Sequence, residues 1–180
     1  MRLYIARHAK SSQQHRKLAD IDRPLNKRGR RDAAKMAGYL AGLGVRPDWL
    51  ITSDSVRTRT TAQIISAGLG LDPSNVLTDN RLYLADADTL LDVLRQTPGD
   101  RQEVMLIGHN PGVTELVARL TGAAVPVVRQ RAVGQDATDL PTMAVATLDV
   151  PASQWQELNN GCAALVACVA PKQLPGLATA

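Results

Sequence analysis

The 180-residue sequence contains no phenylalanine, and aromatic side chains make up only 3% of it. Its core must therefore be built from Leu, Val, Ile, Ala and Met. The chain also lacks the aromatic platforms on which single-stranded nucleic acid stacks. Cysteine is limited to Cys162 and Cys168. Read as members of one apolar strand, their Cα atoms lie roughly 20 Å apart, too far for a disulfide, so two buried reduced thiols in a cytoplasmic protein are expected. No apolar run approaches the ~20 residues of a membrane-spanning helix. Arg2, Arg7 and Lys10 interrupt the first apolar stretch, which argues against an export signal.

Charge is scarce in a second sense, because each sign is missing somewhere. Residues 1–31 hold ten Lys or Arg against only Asp20 and Asp22, whereas beyond Arg131 the only basic residue is Lys172. The net charge of +4 is thus concentrated, and a field of this kind attracts anionic partners such as phosphorylated proteins or metabolites. The length suits one domain with a sizeable core, placed at residues 1–170, with residues 171–180 as a loose tail. Residues 126–141, "PVVRQRAVGQDATDLP", break the pattern and read as a long loop.

Elsewhere short apolar runs alternate with amphipathic stretches. Strands are predicted at Arg2–Ala6, Trp49–Thr52, Val104–Ile107, Ala144–Asp149 and Ala163–Val169. Helices are predicted at Lys27–Leu43, Val56–Leu69, Thr89–Gln96 and Gly112–Leu120, with a short one near Ala152–Leu158. Ala33, Ala34, Ala37, Leu40 and Ala41 mark an apolar stripe at helical spacing on the first helix. Alternation of this kind predicts an α/β three-layer sandwich, a mainly parallel central sheet with helices on both faces.

In such sheets ligands bind beyond the carboxyl ends of the strands. The first strand ends in Arg7-His8, the second runs into Ser53 and then Arg57, and the "VMLIG" strand ends in His109-Asn110, with Pro111-Gly112 opening a helix. Two of the three histidines therefore fall at strand ends, each near an arginine or a helix amino terminus. Guanidinium groups bind phosphoryl oxygens bidentately and stay charged, and a helix amino terminus adds unpaired N–H groups. A neutral imidazole can attack phosphorus and form a phosphohistidine that water then cleaves. Nearby cations keep that imidazole deprotonated. One histidine is expected to be the nucleophile and the other a protonated charge stabiliser. The arginines disfavour a divalent cation and no third ligand has recognisable spacing, so neither a metal nor another cofactor is expected. His15, in a polar loop, has no identifiable partner.

"RHAKS", "SDSVRTRTTA" and "LIGHNPG" resemble the motifs of the histidine phosphatase superfamily, which has the phosphoglycerate-mutase-like fold. "RPLNKRGRRDA" and "RLYLADADTLLDVLR" are similar to its small bacterial phosphohistidine phosphatase (SixA-like) branch. The likeness covers about residues 1–170, in the family's order. It implies that His8 is the phosphoryl acceptor, Arg7 and Arg57 phosphate clamps and His109 the second imidazole. Arg23 would sit at the mouth and Asn110 near the bound phosphate. Many members carry a glutamate general acid at the position matching Leu84, and leucine donates no proton. Asp86 is the nearest replacement, with Asp22 and Asp20 as alternatives.

A general acid typically contributes ~10²–10⁴-fold, which phosphate esters need more than a phosphoramidate, whose imidazole leaves readily once protonated. The chain is also short, with only about fifty residues between Arg57 and His109, and a shallow pocket suits a side chain on a folded protein. The expected activity is thus a cytoplasmic phosphatase acting on protein phosphohistidine and releasing inorganic phosphate. Two alternatives stay open: a phosphomonoesterase acting on small molecules or phosphoserine, and a non-catalytic module binding phosphate or nucleic acid, the latter disfavoured by composition. No membrane partner is expected.

Overall fold

The computed structural model describes residues 1–13, 18–123 and 139–174. Six strands form one sheet: β1 (Arg2–Arg7), β2 (Trp49–Thr52), β3 (Val76–Thr78), β4 (Glu103–Gly108), β5 (Val145–Asp149) and β6 (Ala164–Val169). Among the described residues four α-helices accompany them: α1 (Lys27–Gly42), α2 (Val56–Leu69), α3 (Ala87–Arg95) and α4 (Gly112–Thr121). The strand order is β3-β2-β4-β1-β5-β6. β1, β2, β3 and β4 run parallel, and β5 is antiparallel to both its neighbours.

Both faces of the central strands are buried, which is why they read as unbroken apolar runs. Along β1, Leu3 and Ile5 pack with the α3 and α4 residues Leu90, Leu94, Leu116 and Leu120 on one face. Tyr4 and Ala6 pack with Met36, Leu40 and Ile65 of α1 and α2 on the other. The helix ends follow local chemistry. Asn26 caps α1 by accepting from the Gly29 N–H, Ser55 caps α2 from Thr58, and α2 closes on Gly70 at φ 68°, where glycine bears no side-chain penalty.

Register then fixes the position of the site. Arg7 pairs with Gly108 and Thr52 with Ile107, so the next residues, His8, Ser53 and His109, emerge together at one sheet edge. β5 enters from that edge: Ala6 pairs with Val145, and the Met143 N–H donates to the Arg7 and His8 carbonyls.

Several expectations needed correction. β3 was not foreseen. α3 begins two residues before the predicted start, and the helix near 152–158 is a single 3-10 turn, Trp155–Glu157. Ala34 is exposed, and Met36 takes its place in the buried stripe of α1. Cys162 precedes β6 rather than lying in it, and both cysteines are half-buried, Cys168 because β6 is an edge strand. Residues 171–173 form a 3-10 turn, Leu174 is buried, and Lys35 Nζ donates to the Leu174 carbonyl at 2.8 Å. That part of the tail is anchored. Residues 175–180, His15 and most of the 126–141 segment lie outside the described residues.

Candidate active site

His8 leaves β1 with its backbone N–H donating to the Gly108 carbonyl at 3.1 Å. Its Nδ1 lies 2.7 Å from the Ala9 carbonyl. A carbonyl can only accept, so Nδ1 carries the proton and Nε2 presents a lone pair. The turn is held from α2: the Ala9 N–H donates to Thr61 Oγ1, which donates to the Arg57 carbonyl.

His109, at the end of β4, stands with its ring centroid 5.2 Å from that of His8. Its Nε2 is 3.1 Å from Ser53 Oγ, and its Nδ1 is 3.4 Å from Arg57 Nη2. A guanidinium only donates, so Nδ1 is the acceptor and Nε2–H donates to Ser53. Tyr83 meets the His109 ring edge-on at 5.6 Å, with the Arg57 guanidinium 5.7 Å from the Tyr83 ring centre.

Both imidazoles are neutral near pH 7. Burial, followed by the charges of Arg57, Arg7 and Arg23, lowers the pKa of His8 to about 4 against the opposing Ala9 hydrogen bond. Burial, then the neighbouring His8 and Arg57, lowers that of His109 to about 3, although Asp20 opposes the shift. The expectation of a protonated second imidazole therefore does not hold in the ligand-free protein: desolvation and two nearby guanidinium groups outweigh one half-exposed carboxylate.

Among the described residues, three cationic side chains surround the pair. Arg57 is buried, at 3% exposure. Arg7 donates through Nη1 to the Leu140 carbonyl, while its buried Nε has no hydrogen-bond partner. Such a donor is costly unless something accepts from it. Arg23 bridges Ser11 Oγ, the Ser12 carbonyl and Asp20. Asp20 itself receives Arg57 Nη2, Arg23 Nη1 and the Tyr83 hydroxyl at 2.7–2.8 Å. Those hydrogen bonds, led by Tyr83, hold its carboxyl at about 2.

A cavity of about 1140 Å³ opens over this cluster, lined by Arg7, His8, Asp20, Arg23, Arg57, Leu84, His109 and Asn110 among others. It also reaches Lys10, Lys27 and Arg28. Asn110 uses Nδ2 to hold the Leu140 carbonyl, which it shares with Arg7. Leu84 projects at φ 51° with 56% exposure and contributes no titratable group. Asp86 is not among the lining residues. It caps α3 by accepting from the Thr89 N–H, which holds its carboxyl below the usual range. Of the three carboxylates considered from sequence, Asp20 is the one at the cluster.

Sequence reasoning missed Tyr83, Thr61 and the role of Ser53 as acceptor for His109. Tyr83 carried one signal, as one of three tyrosines in an aromatic-poor chain. The other two are local hydroxyls whose partners become visible only in three dimensions.

Comparison with known proteins bears on the family and the fold. Residues 3–83 match the histidine phosphatase superfamily (branch 1). An uncharacterized chloroplastic protein of Arabidopsis thaliana is 33% identical over 165 residues, 87% of this chain and 69% of the relative. The crystal structure of the putative phosphohistidine phosphatase SixA from Agrobacterium tumefaciens superposes with a TM-score of 0.74 at 26% identity, covering 94% of this chain and 98% of that one. The protein histidine phosphatase SixA complexed with tungstate shares the fold with a TM-score of 0.76 at 22% identity, over 96% and 98% of the two chains. The chain belongs to the histidine phosphatase superfamily, in its SixA-like group, and is a histidine-nucleophile phosphatase.

Proposed function

We propose that the protein hydrolyses phosphohistidine on a protein partner through a covalent intermediate on His8. The observation that carries this reading is a free imidazole lone pair, on His8 Nε2, facing a second imidazole and two guanidinium groups at the mouth of an open cavity.

The phosphoryl oxygens bind between Arg7 and Arg57, taking the place of the Asp20 carboxylate on Arg57 and giving Arg7 Nε its acceptor. His8 Nε2 attacks phosphorus. The bond to the substrate imidazole breaks, and that ring leaves neutral after protonation by solvent on its other nitrogen. Charge builds on the equatorial oxygens, where preorganised donors are worth most. Arrival of the dianion raises the pKa of His109, which takes a proton from solvent on Nδ1 as Arg57 turns to the phosphoryl oxygens and then donates from Nδ1. Water next attacks the phosphohistidine on residue 8, the P–Nε2 bond breaks, and inorganic phosphate departs with His8 restored.

Leu84 supports phosphohistidine over an ester, because no side chain at that position protonates an alkoxide. The test is to mix the protein briefly with a phosphohistidine protein carrying ³²P, quench at alkaline pH and map the label. Label on residue 8, absent from His8→Ala, is expected. Release of phosphate with no labelled enzyme, or label elsewhere, overturns the mechanism.

A further inference from the structure

The amino terminus of α1 is built against its own dipole. Lys27, Arg28, Arg30 and Arg31 occupy its first five positions, with no acidic residue in the first turn. Cations there are disfavoured, since the helix already presents partial positive charge. Local rules are broken most often where function demands it.

The surroundings show which way this charge faces. Lys10, Lys27 and Arg28 line the side of the large cavity formed by α1 and the 10–13 segment. Arg28 also lines an adjoining groove of about 750 Å³, with Arg31, Asp32, Lys35 and Lys172. Arg28 therefore joins the basic residues of the cavity to those of the groove, which reaches the carboxyl-terminal turn. Among the described residues Asp32 is the one carboxylate lining the groove, and it is shared between Arg28 at 3.2 Å and Arg31 at 3.6 Å. Arg31 keeps 75% of its side chain in solvent. Lys35, bonded to the Pro171 and Leu174 carbonyls, fixes Lys172 beside the helix.

We infer that this face of α1, with Lys172, docks an acidic patch on the protein that presents the phosphohistidine. The inference rests on the proposed function and extends it from the reacting group to its carrier. The span decides between occupants: Lys27 to Lys35 alone covers roughly 12 Å along the helix. A small phosphorylated molecule seated against His8 can reach Lys10 or Arg28 inside the cavity. It cannot also engage Arg31 and Lys172, which lie in the second groove. Carboxylates on a folded partner can engage both while its phosphorylated side chain enters the cavity.

The test uses the full chain, the double variant Arg31→Glu/Lys172→Glu and two probes: a phosphorylated histidine phosphotransfer domain with an acidic surface, and free phosphohistidine. At low salt the variant is expected to raise KM for the domain about tenfold with kcat unchanged. The effect should fade at high salt, and kcat/KM for free phosphohistidine should not move. The milder Arg31→Gln/Lys172→Gln variant should give a smaller shift in the same direction. An unchanged KM for the domain overturns the docking surface, and so does an equal loss on both probes. If the unaltered protein turns over free phosphohistidine but not the domain, the substrate reading fails and takes the surface with it.

Discussion

At the residue scale, the ionic state of a few side chains sets the chemistry. His8 is expected to titrate near pH 4 rather than near the ordinary 6.5, because its cationic form is both desolvated and repelled. Imidazole NMR shifts across pH 3–8 would show this, and a midpoint above 6 would refute it. The nucleophile then stays unprotonated throughout the neutral range. Arg57→Ala removes a buried donor aimed at the phosphoryl oxygens and should cost ~3–4 kcal/mol of transition-state stabilisation, measured as kcat/KM. Asp20 occupies the same guanidinium as an internal anion. Asp20→Asn should tighten inorganic phosphate severalfold, since the competing Asp20 carboxylate is half-exposed and solvent screening limits its hold on the buried Arg57 to ~1 kcal/mol or less. A fall in turnover of ~10²–10⁴-fold with phosphate affinity unchanged would instead make Asp20 the proton donor. The histidine pair was legible in the sequence because histidine is rare here and both fall at strand ends. The choice among Asp20, Asp22 and Asp86 was not, because only the folded chain shows that Asp86 is committed to capping α3.

At the scale of elements, close approach at two glycines shapes the walls of the cavity. A Cβ on Gly29 would lie 2.1 Å from the Lys10 carbonyl oxygen, and one on Gly112 would lie 2.0 Å from that of Ala85. Both obstacles are backbone, so relief requires moving the segment. Gly29→Ala is expected to push α1 off the turn after β1, with ~1–3 kcal/mol lost in denaturant unfolding and kcat reduced as His8 shifts. Gly38→Ala, on the exposed side of the same helix with nothing within 4 Å, should stabilise by up to ~1 kcal/mol. Equal effects at the two positions would refute the steric account. The same physics explains which elements the sequence disclosed. β2 and α2 were placed to the residue, β2 as a short apolar run and α2 as the stretch between Val56 and Leu69. β3 has three residues, two of them exposed, and offers neither a run nor an alternation. β6 misled in the opposite sense, since an apolar edge strand was read as buried.

For the whole molecule, the site is a polar seam at one edge of a sheet whose two apolar faces supply the stability. His8, Ser53, Arg57, Thr58, Thr61 and His109 are all buried there, and burying imidazoles in neutral form makes the fold sensitive to acid. The unfolded chain protonates these histidines near pH 6.5, whereas the folded protein resists until about 4 for His8 and about 3 for His109. Between those limits the unfolded state binds more protons, so stability falls as pH drops from 6.5 toward 4, by up to ~3 kcal/mol per pH unit for the pair. Asp20 acts in a lower window. Its carboxyl is held at about 2, so the stability it contributes is present above the ordinary carboxylate pKa and is lost only on further acidification. Denaturant unfolding of the wild type and of His109→Asn at intervals between pH 6.5 and 4.5 separates these contributions. The variant should show about half the wild-type slope across that interval. An identical slope would mean that His109 titrates alike in the folded and unfolded chains, and the electrostatic account of the paired imidazoles would fall.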